Sequence, residues 1–257
     1  MIDIELRGAK NLRDLGGTVC ADGSVIKPRR FIRGGELSRI TAADIRTLRD
    51  YCRVRTVIDL RTPKETEEKP DRKIGDIDSF SVPIVSAATM GISHEKGTNS
   101  PRGLARIPVM EELYRDIIRS EYSQTQLGKA LRLILEGSEN GTVMWHCTVG
   151  KDRCGILSAL VLYILGADMD TIYKDYLLTN RVSQVRSSLF YVVAHIITAN
   201  NKETARRVLG IYTARRSFLE AAFDEMTAIC GSVEGYIREK LGLSPDDEER
   251  LKAFAFN

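Results

Sequence analysis

No C-x-x-C pair occurs among the five cysteines of this sequence, at 20, 52, 147, 154 and 230, and their number is odd. That excludes a cysteine zinc site of ordinary spacing and a closed disulfide framework, so each is read as a free thiol. Long apolar runs are missing too. The longest, "GILSALVLYILGA", is too short to span a bilayer and contains a serine, so no integral membrane segment is expected. The start, "MIDIELRGAK", has acids and no apolar stretch of signal-peptide type. A cytoplasmic protein is expected, with secretion lacking a recognisable signal left open. There is no large excess of one charge: 38 basic residues face 35 acidic ones, and the net +3 gives no electrostatic case for a nucleic-acid partner. The basic side is uneven, with 26 Arg to 12 Lys, and arginine is the side chain that grips phosphate in a two-pronged fork. Nothing in the sequence implies a metal or organic cofactor.

Repeats, low-complexity tracts and Pro/Gly/Ser-rich linkers are absent as well, and 43% hydrophobic residues in a chain of 257 suffice for a sizeable core. One unit over 1–257 is the expectation. "RVRTVIDL" (53–60) is β-branched and apolar, and Thr62, Pro63 and Glu65 then read as N-cap, first-turn proline and capping-box acid of a helix. Asp59 and Arg61 therefore fall where a strand ends. Thr41 and Asp44 have the same capping spacing before "IRTLRDY". "GTVMWHC" is another β-rich run, preceded by helical spacing in "QLGKALRLILEG". Strands alternating with helices predict an α/β fold, a central, mostly parallel sheet flanked by helices. From about residue 170 every segment has helical spacing, so the C-terminal third is expected to be α-helical. Residues 86–105 read as a surface excursion.

The chemistry concentrates in "HCTVGKDRCG" (146–155), where Cys147 and Arg153 stand at C-x5-R spacing. Spacing alone is weak, since about 0.5 such matches are expected by chance in so arginine-rich a chain. Context strengthens it: a strand precedes, Gly150 lies in a short loop, and an all-round apolar helix begins near Cys154, which places that helix in the core. A helix N-terminus offers unpaired N–H groups and the positive end of its dipole. The amides of Thr148, Val149, Gly150, Lys151, Asp152 and Arg153 can cradle a phosphate that Arg153 forks onto. The same field favours a thiolate at Cys147, a nucleophile for in-line attack that leaves a phosphocysteine for water to hydrolyse. The departing oxygen needs a proton, for which Asp152 and Asp59 are the candidates. Lys151 would add charge beside the phosphate. His146 is read as a group supporting the loop, and Asp59 with Arg61 either props it or takes part directly.

This loop resembles the signature of protein tyrosine phosphatases, in particular an atypical bacterial branch of tyrosine and dual- or triple-specificity enzymes with lysine and aspartate inside the loop. "NLRDLGG" (11–17), "FIRGGELSRIT" (31–41), "TVIDLRTPKE" (56–65), "DYLLTN" (175–180) and "GSVEGYIREKLGLS" (231–244) also resemble that branch. The resemblance implies a tyrosine phosphatase-like fold without cofactor, Cys147 as nucleophile, Arg153 on phosphate, Asp152 as general acid and inorganic phosphate as product. It also implies a phosphorylated protein or phosphoinositide substrate, the latter associated with Lys151, and a helical lid placed at 181–216. One departure stands out. The family has serine or threonine after the arginine, where this chain has Cys154, a weaker hydrogen-bond donor. A reversible 147–154 disulfide is a further expectation. The rival readings are a phosphoinositide phosphatase as main activity, a non-catalytic phosphate-binding pseudophosphatase and a rhodanese-like sulfurtransferase.

Overall fold

A computed structural model describes residues 1–86, 109–182 and 202–257. In these residues one sheet runs β1 (Ile2–Asp3), β2 (Arg13–Asp14), β3 (Phe31–Gly34), β6 (Thr142–His146), β4 (Val54–Asp59), β5 (Asp78–Ser81) in spatial order. The block β3-β6-β4-β5 is parallel, as expected, and β2 and β1 extend it antiparallel at one edge. Two-residue strands carry no periodicity, so that edge has no sequence signal.

The central strands read as apolar runs because both of their faces are covered. Successive side chains point opposite ways: Phe31, Ile58, Val143 and Trp145 enter the larger core, while Ile32, Val57 and Met144 enter a smaller one with Leu12, Ile40 and Leu48. The helices are α1 (Ala42–Arg46), continued by a π-helical turn over Thr47–Tyr51, α2 (Pro63–Glu68), α3 (Met110–Arg119), α4 (Glu121–Ser138), α5 (Asp152–Ile164), α6 (Met169–Leu177), α7 (Lys202–Tyr212), α8 (Arg216–Cys230), α9 (Val233–Glu239) and α10 (Pro245–Phe256). Thr41 and Thr62 cap α1 and α2 through complete capping boxes with Asp44 and Glu65. In the described part of the C-terminal third every regular element is a helix, and none of the helices in the described residues is long and apolar enough to cross a membrane.

Helix α5 starts two residues before the expected position, at Asp152. Residues 153–162 are all buried, which is why no polar stripe is visible in its sequence. Its one serine there, Ser158, accepts the indole N–H of Trp145 at 2.9 Å. So the strand β6, the loop 147–151 and α5 form a strand–loop–helix unit whose helix points its N-terminus at the loop. The excursion at 86–105 lies, apart from Ser86, outside the described residues. Of the 181–216 lid, only the two ends, 181–182 and 202–216 with α7, fall within them.

Candidate active site

Loop 147–151 leaves the C-terminal end of β6, and its shape is set by what holds its carbonyls. Asn11 Nδ2 donates to the carbonyl oxygens of Val149 and Gly150, both at 3.0 Å, and an Arg33 terminal nitrogen donates to the Gly150 oxygen at 2.7 Å. With its carbonyls drawn outward, the loop turns amides inward. One reaches the sulfur: Gly150 N–H donates to Cys147 Sγ at 3.3 Å. Gly150 has φ +74°, and a Cβ there would sit 2.7 Å from the Gly34 carbonyl carbon, so conformation and space both require glycine.

The two arginines behind the loop share one acid. Arg13 Nε and Arg33 bind the two oxygens of Asp175 at 2.7 and 2.6 Å, and all three side chains are almost wholly buried. Arg13 also donates to Asn11 Oδ1 at 2.6 Å, orienting the amide that holds the loop. Asp14, by contrast, organises a turn, accepting the Gly16 N–H at 2.8 Å.

Cys147 is 2% exposed. The neighbouring Cys154 thiol is the strongest influence on the sulfur and favours its ionisation; burial opposes it, while the Arg153 guanidinium and the Cys154 N–H add to the lowering. The net effect lowers the Cys147 pKa well below an ordinary thiol's. The Cys154 thiol faces the Gly34 oxygen at 3.4 Å and the Trp145 oxygen at 3.9 Å. Burial and the neighbouring thiolate push the Cys154 pKa well up, so it keeps its proton. Both sulfurs are free thiols.

Arg153 is held by Glu65, two guanidinium nitrogens meeting the two carboxylate oxygens at 2.6 and 2.8 Å. The fork is aimed by the same residue that closes the α2 capping box: Glu65 takes the Thr62 N–H at 2.9 Å and the Thr148 hydroxyl at 2.5 Å. Burial would raise its carboxyl, but Arg153 foremost, then Thr148 and Thr62, bring it down to about 2. Sequence reading assigned Glu65 a cap alone; a local motif does not reveal a partner 88 residues away.

Asp152, at the first position of α5, accepts the Tyr114 hydroxyl at 2.7 Å, and Tyr114 meets the Tyr176 hydroxyl at 2.6 Å. Burial, then the Asp152 charge, raises both tyrosines well above their ordinary values, so they remain proton donors. These tyrosines have no local sequence signal, since each looks like a core aromatic.

Lys151 departs from the sequence expectation of a charge beside the phosphate. Its amine is buried and donates to the carbonyls of Gly210 (2.8 Å), Ile211 (2.7 Å) and Thr213 (3.3 Å), with Asp152 3.4 Å away. Those carbonyls are the unsatisfied C-terminal end of α7, where a cation is favoured. Burial lowers the Lys151 pKa.

Beneath the loop, Arg61 is fully buried and bonds Asp59 (2.8 Å) and Asp71 (2.9 Å). His146 Nε2 lies 2.9 Å from Asp71, a charge contact off the ideal hydrogen-bond line, and Nδ1 lies 3.9 Å from Asp59. Burial favours the neutral ring, but Asp71 and Asp59 outweigh it and raise the His146 pKa. Asp59, Asp71 and His146 bring three donor atoms within 4.8 Å of one another. Arg61 already supplies their positive charge, which leaves a poor donor set for a metal ion. Of the two roles left open for Asp59 and Arg61, the geometry is that of a prop.

A family model described as "Tyrosine phosphatase family" matches residues 4–255. The chain belongs to the tyrosine phosphatase family. This tyrosine phosphatase is 29% identical over 279 aligned positions to the triple specificity protein phosphatase PtpB of Mycobacterium tuberculosis, covering 96% of this chain and 97% of that one. It is 27% identical to a putative tyrosine-protein phosphatase, H16_A0669, of Cupriavidus necator, over 93% of this chain and 84% of the other. Among solved structures, the core catalytic domain of the PP-IP phosphatase SIW14 from S. cerevisiae aligns with 68% of this chain and 78% of its own, at 17% identity and a TM-score of 0.37. The phosphatase chemistry of the family fits the loop: a depressed thiol, inward amides and a clamped guanidinium at a helix N-terminus.

Proposed function

We propose that residues 1–257 form one phosphatase domain hydrolysing phosphomonoesters on proteins, and on phosphoinositides besides, through a Cys147 phosphocysteine. The observation that carries this reading is the Cys147 sulfur, bonded by the Gly150 N–H and lowered in pKa, beside an Arg153 fork that Glu65 aims. A phosphate in the loop would meet the amides of 148–153, and Arg153 keeps its Nε–H and a terminal N–H for it beyond those given to Glu65 and Thr148. In-line attack by the thiolate forms the S–P bond as the ester P–O bond breaks. The leaving oxygen takes a proton from Asp152, whose one oxygen is held by Tyr114. Water then attacks phosphorus, Asp152 accepts its proton, and inorganic phosphate leaves with the thiolate restored. The Cys154 thiol steadies that departing sulfur.

Asp59, locked to Arg61, supports the loop rather than donating the proton. The triple-specificity name of one relative supports a substrate range beyond phosphotyrosine. We place the enzyme in the cytoplasm. Phosphate release from phosphotyrosine, phosphoserine and phosphothreonine peptides and from inositol lipids, measured beside Cys147→Ser, tests the assignment. Turnover with at least one peptide class, lost in the variant, is expected. No release from any of them, or unchanged release by the variant, refutes it.

A further inference from the structure

A cavity of the described residues lies away from the catalytic loop. About 610 Å³ in volume, it is lined by Lys27, Arg29, Arg30, Arg53, Arg55 and the turn Asn140–Thr142. It opens where β3, β4 and β6 begin, whereas the loop of Cys147 leaves the end where they finish. A strand of five residues at 3.3 Å per residue separates the two by roughly 16 Å.

Several surface arginines elsewhere pair with acids, Arg119 with Glu225 and Glu112, Arg216 with Glu220 and Arg250 with Glu139, while single ones such as Arg39 and Arg132 have no ion pair among the described residues. The cavity gathers four of the latter kind. No guanidinium of Arg29, Arg30, Arg53 or Arg55 has a carboxylate within 4.0 Å among the described residues, although the Arg29 backbone N–H donates to Asp14 at 2.6 Å. Arg55 donates to its own strand's Val54 oxygen and to the Arg49 oxygen, and Arg30 stacks over Phe254 with its Nε sealed from water and unbonded. Lys27 is taken up by the Asn257 carbonyl.

The rim is also held in a costly shape. Arg29 and Arg53 have φ of +60° and +56°, a region that side chains other than glycine, asparagine and aspartate rarely adopt. Thr142 fixes both arms, its hydroxyl bonding the Arg29 and Cys52 oxygens at 2.7 Å each and its N–H the Arg53 oxygen at 3.3 Å. Gly141 between them has φ +145°, and a Cβ there would press within 2.9 Å of Arg55 Cγ. Four like charges around one concavity repel unless an anion joins them.

We propose that this cleft is a second, non-catalytic site for a compact ligand carrying several phosphates, either free or as the headgroup of an anionic lipid. Guanidinium forks match phosphate in pairs, and a bounded concavity suits a compact molecule better than an extended chain. The inference does not depend on the reaction at Cys147.

Calorimetric titration with inositol hexakisphosphate tests it, using wild type, Arg153→Met and the triple variant Arg29→Gln/Arg53→Gln/Arg55→Gln. Wild type and Arg153→Met are expected to bind alike. The triple variant is expected to lose at least about 30-fold in affinity while hydrolysing p-nitrophenyl phosphate at the wild-type rate, a rate that also shows it is folded. Sedimentation with phosphatidylcholine vesicles, with and without a phosphatidylinositol bisphosphate, separates the sources. Binding to the doped vesicles assigns a lipid headgroup, and binding of the soluble compound alone assigns a free ligand. Equal affinity of the triple variant, loss of the titration signal in Arg153→Met, or tighter binding of a twenty-nucleotide single-stranded RNA would each overturn the proposal.

Discussion

Arg153 shows how much one side chain depends on another that a local motif does not reveal. Glu65 aims the fork, and its carboxyl, near 2 in the folded chain against an ordinary 4.5, makes the pair sensitive to acid. A depressed carboxyl contributes stability that is complete above pH 4.5 and fades as pH falls toward 2. Glu65→Gln is therefore expected to lower the unfolding free energy measured in urea at pH 6 by on the order of 1–2 kcal/mol after solvent screening, and to differ much less from wild type at pH 2.5. The reverse order would show that Glu65 is not held ionised by Arg153. At the nucleophile, the rate of alkylation by iodoacetamide against pH should have its midpoint well below that of a free cysteine, with Cys147→Ser unreactive at this site. Cys154→Ser gives the leaving sulfur a stronger donor. Burst kinetics are expected to show faster breakdown of the phosphoenzyme, and an unchanged second phase would mean that Cys154 does not assist the step.

At the scale of elements, the loop is a junction: β6 delivers it, α5 receives it, and α7 is tied to it through Lys151. That lysine satisfies three carbonyls at the end of α7. Lys151→Met keeps the stem and removes the donors, leaving buried carbonyls unmatched at a cost of about 1–3 kcal/mol. Faster amide hydrogen exchange over residues 209–213 and a lower melting temperature are expected. Exchange unchanged across that stretch would mean the helix end is held by something else. The same tie explains why a residue read as a phosphate contact is occupied elsewhere in this structure: its loop position is local, but the acceptor for its charge comes from an element 59 residues on.

Over the whole molecule, segments far apart in the chain converge behind the loop. Asn11 and Arg13 come from the first antiparallel edge, Arg33 from β3 and Asp175 from α6, joined by contacts of 2.6–2.7 Å. Asp175 balances two buried guanidinium groups, and its pKa is lowered, burial being outweighed by Arg33 and Arg13. Asp175→Asn leaves those charges uncompensated, an expected loss of about 3–5 kcal/mol by denaturant unfolding. If it folds, kcat should fall with it, because the carbonyl anchors of the loop shift. A loss under about 1 kcal/mol would remove the network from any central place in stability.

The amino-acid sequence by itself determined the strands β4 and β6, the two capping boxes, the buried helix α5 and the Cys147–Arg153 loop, because each depends on neighbours within a few residues: period, cap spacing, loop and helix start. It also carried the family likeness, spread over motifs from residue 11 to 244. Only the tertiary structure decided how those motifs act on one another. That Glu65 aims Arg153, that Asp175 joins Arg13 to Arg33, that Lys151 faces α7 and that four arginines whose guanidinium groups have no carboxylate partner among the described residues share a cleft at the far end of the sheet are facts of convergence between distant segments. Charge pairing acts through space, and a linear pattern records only which charges exist.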